Sequence, residues 1–90
     1  MQRAIITVVG QDQVGIIAKI CSYLAKTDIN ILDISQTILQ GYFNMMMIVD
    51  VTKLCDEFAN IADELEKLGQ DIGVSIKLQH EDIFNKMHRI

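Results

Sequence analysis

The sequence of 90 residues contains no proline, and it has no serine-rich linker, charge block or low-complexity run. Boundaries between domains usually fall in segments of that kind, so nothing in the sequence marks an internal boundary. A chain of this length can fold alone around one hydrophobic core. We therefore expect a single domain over residues 1–90.

Positive charge and long apolar runs are also scarce. The eight Lys and Arg residues are outnumbered by twelve Asp and Glu, which gives a net charge of -4. This balance offers little attraction to nucleic acid or to an anionic membrane, so neither partner is expected. The apolar run over residues 43–49 is far shorter than the roughly 20 residues of a membrane helix, and residues 1–9 lack the layout of a signal peptide. We therefore expect a cytoplasmic protein.

Motifs of catalytic and metal chemistry are missing as well. There is no HExxH sequence, no P-loop and no nucleophile with a base partner, so we expect a non-catalytic protein without a cofactor or metal. The two cysteines, Cys21 and Cys55, have no CxxC spacing and no flanking histidine, which favours free thiols over a disulfide or a metal pair. His80 and His88 are eight residues apart, which is not a zinc spacing.

What the sequence does contain is a series of period-two and period-3.6 patterns. These patterns predict four strands and two helices in the order βαββαβ. The strands cover residues 3–9, 29–40, 42–51 and 74–79, and the helices cover residues 14–26 and 54–68. A further short helix is expected over residues 81–89, where Ile83, Phe84 and Met87 have helical spacing.

Glycines and apolar spacing define the limits and faces of these elements. Gly10 is expected to end the first strand, and Gly41 to form the turn between the second and third strands. The second helix is expected to stop at Gly69 or Gly73. In the first helix, the predicted apolar face comprises Ile17, Ile20, Cys21 and Leu24.

With right-handed crossovers, this order of elements predicts an α+β fold, the ferredoxin-like βαββαβ sandwich. Its four-stranded antiparallel sheet carries two helices on one face. One face of the third strand comprises Phe43, Met45, Met47, Val49 and Val51. Met46 and Ile48 make the other face partly apolar too, so we expect them to contact a second subunit or another protein. The alternative is that they are scattered surface residues.

The turn after the first strand has the chemistry of a small-ligand site. Gly10 and Gly15 allow close backbone approach, and the free amide groups at the start of the following helix suit a carboxylate. Asp12 stands beside them and can accept hydrogen bonds from an ammonium group, so a zwitterionic amino acid fits better than a phosphate. Asn30 can donate and accept hydrogen bonds on the opposite side of the same ligand.

Each of these residues also has a structural explanation. Asp12 can cap the helix N-terminus, and Gly15 can let the helix pack tightly against the sheet. Asn30 can satisfy backbone groups at the start of the second strand. The polar residues over 33–37 are typical of a solvated strand face, although at a dimer interface they would line the pocket.

Two segments carry a family resemblance: VVGQDQVGIIAKICSYLAKTDINILDISQT over residues 8–37 and GYFNMMMIVDV over residues 41–51. The pattern DxxGI, followed by a helix and then NI at the next strand, resembles the ACT domain family over nearly the whole chain. More narrowly, the chain is similar to small stand-alone ACT proteins related to the glycine-cleavage repressor type. It departs from the pattern at Gly10 and Val14, where some relatives carry histidine and proline.

The resemblance implies a regulatory module that dimerises through sheets or helices and often binds an amino acid at the subunit interface. The ligand would lie between the turn after strand one and the start of strand two. The implied ligand-binding residues are Gly10, Asp12, Val14, Gly15, Ile16 and Asn30. Met46 and Ile48 are the predicted interface residues.

Two functions of different class follow from these observations. The first is a non-catalytic regulatory ACT protein that forms a homodimer, binds an amino acid and modulates a partner protein. The alternative is a ligand-free interaction module that regulates an enzyme or a transcription regulator.

Overall fold

The computed structural model describes residues 2–11 and 15–81. Their elements follow the predicted βαββαβ order, with a 3-10 helix added before the second α-helix. The elements are β1 (Arg3–Gln11), α1 (Ile16–Lys26), β2 (Asn30–Leu39), β3 (Tyr42–Asp50), the 3-10 helix (Thr52–Glu57), α2 (Phe58–Ile72) and β4 (Val74–His80). The short helix expected over residues 81–89 falls outside the described residues, except for Glu81.

The four strands form one antiparallel sheet in the order β2-β3-β1-β4. β1 and β3 lie in the middle, and β2 and β4 form the two edges. Buried residues of α1 and α2 belong to the same core cluster as one face of the sheet. The predicted ferredoxin-like fold is therefore confirmed.

The two faces predicted for β3 are present. The odd-numbered residues from 43 to 49 are buried in the core. On the opposite, open face of the sheet, Met46 is 37% exposed and Ile48 is half-buried. This alternation follows from the period of two in a strand, which sends successive side chains to opposite faces.

α1 turns a different face to the sheet from the one predicted. Its buried residues are Ile16, Ile20 and Leu24. Ile17 is 37% exposed and Cys21 is half-buried with a free thiol, so the predicted apolar face was wrong at these two positions. Residues four apart form one stripe along a helix, and the stripe that starts at Ile16 contacts the core.

Gly10 does not end β1, contrary to the expectation from the sequence. The strand continues to Gln11, and Gly10 lies between Phe43 of β3 and Val74 of β4. A Cβ atom at position 10 would lie 2.6 Å from Cγ1 of Val74. The close packing of β1 beside β4 therefore requires glycine here.

The other glycine positions were predicted more closely. Gln40 and Gly41 form a two-residue turn with φ of 52° and 82°, which is typical of a type I′ hairpin. α2 ends at Ile72, where Gly73 adopts φ of 82° and donates its N–H to the carbonyl of Gly69. Gly73 is therefore the residue that stops this helix.

Candidate functional site

Three of the predicted ligand-binding residues lie together at one end of the sheet. Gly10 is near the end of β1, Gly15 occupies the N-cap position of α1 with φ of 90°, and Ile16 is the first helical residue. Helix geometry leaves the amide groups of the first turn without intrahelical acceptors, so they are available to a carboxylate. Asp12 and Val14 lie outside the described residues.

A groove opens beside this helix start, between α1 and the edge strand β2. Its volume is about 430 Å³. Its lining residues are Gly15, Ile16, Ile17, Ala18, Gln36, Ile38 and Phe43. We call it the α1–β2 groove. This groove was not predicted from the sequence. Its signal is that Ile34, Gln36 and Ile38 are two residues apart, so they share one side of β2, and two of the three are apolar.

Asn30 lies at the opposite end of the sheet from Gly10. Asn30 and Arg3 are both paired with Asp50, whereas Gly10 is paired with Phe43. At about 3.3 Å per residue along β1, the two ends are roughly 23 Å apart. A single chain therefore does not bring Asn30 to the start of α1.

The surroundings of Asn30 form a polar pocket of about 510 Å³. Its lining residues are Asp28, Asn30, Asp50, Thr52, Lys53 and Leu54. The sequence reading did not identify these neighbours of Asn30. Their signal is the Asp-x-Thr spacing that begins at the last residue of β3, because a carboxylate in such a position commonly accepts a hydrogen bond from the backbone N–H two residues on.

Asp50 is held in place by Thr52. One oxygen of its carboxylate, Oδ1, accepts hydrogen bonds from the Thr52 amide at 3.0 Å and from the Thr52 hydroxyl at 2.5 Å. That hydroxyl oxygen in turn accepts the backbone N–H of Gln2 at 2.8 Å. The hydrogen bonds from Thr52 lower the pKa of Asp50 below its ordinary value of 3.8, because they favour the charged form.

We predict that Thr52→Val raises the pKa of Asp50 toward 3.8, as read by an NMR titration of the carboxylate. Because the folded pKa is the lower one, the contribution of Asp50 to stability is present above pH 3.8 and is lost as the pH falls through the folded pKa. Thr37→Val on exposed β2 is the matched control and should leave Asp50 unchanged. An unchanged pKa in Thr52→Val would show that the hydroxyl has no such role.

Three exposed apolar side chains lie on the edge strand β2, and others are exposed at Val9, Tyr42 and Met46 of β1 and β3. Ile34 and Ile38 are paired with the buried residues Met47 and Phe43, yet they are 42% and 55% exposed. Leu32, at the bulge of β2, is 40% exposed, and Ile17 of α1 is 37% exposed. We call Ile17, Leu32, Ile34 and Ile38 the β2 edge surface.

The predicted interface residues Met46 and Ile48 lie on the open face. There they are paired with the polar residues Ser35 and Asp33 of β2. On their other side, Met46 is paired with Thr7 of β1, and Ile48 is paired with the buried Ile5. The open face is therefore more mixed in polarity than the pattern of β3 alone indicated.

Residues 2–11 and 15–81 were also searched for a metal site and for a membrane-spanning helix. No group of three His, Cys, Asp or Glu residues in these ranges is placed to hold a metal ion. None of the described helices is long and apolar enough to cross a membrane. His80 stacks on Phe58 with the ring centroids 3.8 Å apart, so it takes part in packing at the end of β4.

Comparison with known proteins agrees with this architecture. A family model for the ACT domain matches residues 2–79. A UPF0237 protein of Bifidobacterium longum is 61% identical over 90 residues, which is 100% of both chains. A UPF0237 protein of Methanocaldococcus jannaschii is 50% identical, again over 100% of both chains.

Solved structures give the same result. The ACT domain protein from Streptococcus pneumoniae superposes with a TM-score of 0.82 at 43% identity, covering 92% of this chain and 93% of that one. A protein assigned as a glycine cleavage system transcriptional repressor shares the fold, with a TM-score of 0.77 at 22% identity over 88% of this chain and 45% of its own. These matches show that the chain belongs to the ACT domain family.

Proposed function

We propose that this chain is a non-catalytic, cytoplasmic regulatory protein that forms a homodimer and binds an amino acid at the subunit interface. In this proposal, occupancy of the site changes the affinity of the dimer for a partner protein. ACT domains are typically regulatory and ligand-binding. The observation that carries the proposal is the separation of Gly10, Gly15 and Ile16 from Asn30 at opposite ends of one sheet.

A two-fold arrangement would bring these two ends together. If the edge strand β2 pairs antiparallel with β2 of a second copy, the start of one strand lies beside the end of the other. The start of β2 in the second copy, where Asn30 lies, would then approach the end of the first copy that holds the α1–β2 groove. Each dimer would contain two equivalent sites, and neither site would be complete in one chain.

The edge strand has features that support such pairing. Residues 34–39 of β2 contain no proline and no lysine, the residues that commonly protect an exposed edge. The first half of β2 is less regular, since it has a bulge at Leu32 and the Asp33 carboxylate accepts the N–H of Ile34 at 2.8 Å. The apolar side chains of Leu32 and Ile34 would be covered by the second copy.

The open face around Met46 and Ile48 is the competing dimer surface, and it is the one that the sequence predicted. Pairing through that face would stack the two sheets and leave Asn30 far from the start of α1 in both copies. An amino-acid site built from both ends of the sheet therefore favours the β2 edge.

A thermal-shift screen with the twenty amino acids tests the ligand. A ligand at 100 times its Kd stabilises the folded form by about 2.7 kcal/mol, which raises Tm by at least about 11 °C in a domain of this size. We expect at least one amino acid to produce such a rise, and we expect Asn30→Ala to remove it while the unliganded Tm stays the same. Asn44→Ala, at an exposed asparagine of β3, is the matched control and should keep the response.

The absence of any rise in Tm would contradict the proposed ligand site. If no amino acid raises Tm, and calorimetry at millimolar ligand detects no heat, the amino-acid site must be abandoned. The ligand-free interaction module would then be the better description of the chain. Loss of folding in Asn30→Ala would instead support a structural role for that side chain.

A further inference from the structure

The α1–β2 groove differs in character from the pocket around Asn30. Its walls are aliphatic and aromatic side chains: Ile16 and Phe43 close its floor at 3% and 2% exposure, and Ile17 and Ile38 form its sides. Among the described lining residues, Gln36 is the one with a polar side chain. The groove starts at Gly15, directly beside the first-turn amide groups of α1.

We propose that the α1–β2 groove takes the side chain of the bound amino acid and selects an aliphatic one, of the leucine, isoleucine or methionine class. This inference rests on the proposed function, since it assumes that the carboxylate of the ligand meets the start of α1. From that position, the side chain of the ligand has an apolar groove of about 430 Å³ next to it. Glycine and alanine would leave most of the groove empty.

The chemistry of the groove also disfavours polar ligands. A charged side chain placed between Ile17 and Ile38 would lose water without gaining an opposite charge from the described lining residues, which carry none. An aliphatic side chain would instead cover apolar surface that is now exposed on both residues. One methylene group in an apolar pocket changes affinity by about 10-fold or more, so the preference should be measurable.

The first measurement is calorimetric titration of the protein with single amino acids. We expect leucine, isoleucine or methionine to bind at least about 10-fold more tightly than glycine, serine, aspartate or lysine. If glycine or aspartate binds as tightly as leucine, the inference is overturned while the proposed function stands. If no amino acid binds at all, the proposed function and this inference both fall.

The second measurement narrows the groove without removing its apolar character. Ala18 is exposed on the first turns of α1 and lines the groove. Ala18→Leu keeps a strong helix former at this position, so the fold should be retained. Because the new side chain occupies the groove, we expect leucine affinity to fall at least about 10-fold while alanine affinity is kept.

Ala25→Leu provides the matched control. Ala25 is also exposed and lies two turns further along the same helix, away from the groove. This variant should bind leucine as the unchanged protein does. Sedimentation of both variants separates the effects, since an altered ligand preference at unchanged molecular mass points to the groove. Equal leucine affinity in Ala18→Leu and Ala25→Leu would contradict a side-chain site there.

Discussion

The double substitution Leu32→Lys/Ile34→Lys should convert the proposed dimer into a folded monomer. Both side chains belong to the β2 edge surface and are 40% and 42% exposed, so their replacement should leave the core of the chain intact. In the antiparallel arrangement proposed above, the lysines would replace apolar contacts by charges that must lose water at the interface. Lysine on an edge strand also blocks pairing with another strand. We expect Kd for dimerisation to rise at least about 100-fold, equivalent to about 2.7 kcal/mol.

Sedimentation at tens of micromolar protein is the measurement, with circular dichroism to confirm folding. Met46→Lys is the matched control, because Met46 is 37% exposed but lies on the open face. It should leave the dimer intact. The reverse outcome, a monomer from Met46→Lys and a dimer from the β2 double variant, would establish the sheet face as the interface, as the pattern of Met46 and Ile48 indicated.

The same double variant connects dimerisation to ligand binding. Neither Leu32 nor Ile34 lines the α1–β2 groove, so the groove of each chain remains as it was. The thermal response to amino acids should nevertheless disappear, because in the proposed dimer Asn30 of the second copy completes the site, and the monomer lacks it. A monomer that still responds to amino acids would contradict the shared site while leaving the dimer surface correct.

The fold was predictable because local patterns and the global arrangement agree. The alternation along β3 follows from the period of two in a strand, and the turn at Gly41 follows from the backbone conformation that glycine permits. Residues close in sequence determine both. The side of α1 that faces the sheet could not be predicted in the same way. Ile16, Ile17, Ile20 and Cys21 offer two adjacent apolar stripes, and the helix start at Ile16 places one of them against the sheet.

The site was harder to predict than the fold. The DxxGI and NI patterns identify the segments near Gly15 and Asn30, but the distance between these segments follows from the strand register, which pairs Asn30 with Asp50 and Gly10 with Phe43. The exposure of Ile34 and Ile38 is likewise a tertiary property. In the sequence both look like ordinary buried strand residues, and only the position of β2 at the sheet edge leaves them open to solvent.

Gly69 of α2 is packed so closely against β4 that a side chain at this position should lower the stability of the protein. The sequence offered Gly69 as an end of α2, yet it lies within the helix and is buried. A Cβ atom there would lie 2.7 Å from the carbonyl oxygen of Val74 and 3.0 Å from Cγ1 of Ile76. The first of these atoms belongs to the backbone of β4, so relief of the clash requires the helix and the strand to separate.

We predict that Gly69→Val destabilises the protein by about 3 kcal/mol. Helix propensity alone would make valine slightly better than glycine, so the sign of the effect reports the close approach of α2 to β4. A domain of this size has a free energy of unfolding of roughly 5–13 kcal/mol, so the loss is a large fraction of the total. Urea unfolding followed by circular dichroism measures it, and Tm should fall by at least about 12 °C.

Gln70→Val is the matched control, because Gln70 is the exposed neighbour of Gly69 on the same helix. It should change the free energy of unfolding by no more than about 0.5 kcal/mol, since only helix propensity is altered. Equal effects of the two variants would mean that α2 and β4 have room for a side chain at position 69. A selective loss in Gly69→Val would instead show that glycine there fixes the spacing between α2 and the β4 edge of the sheet.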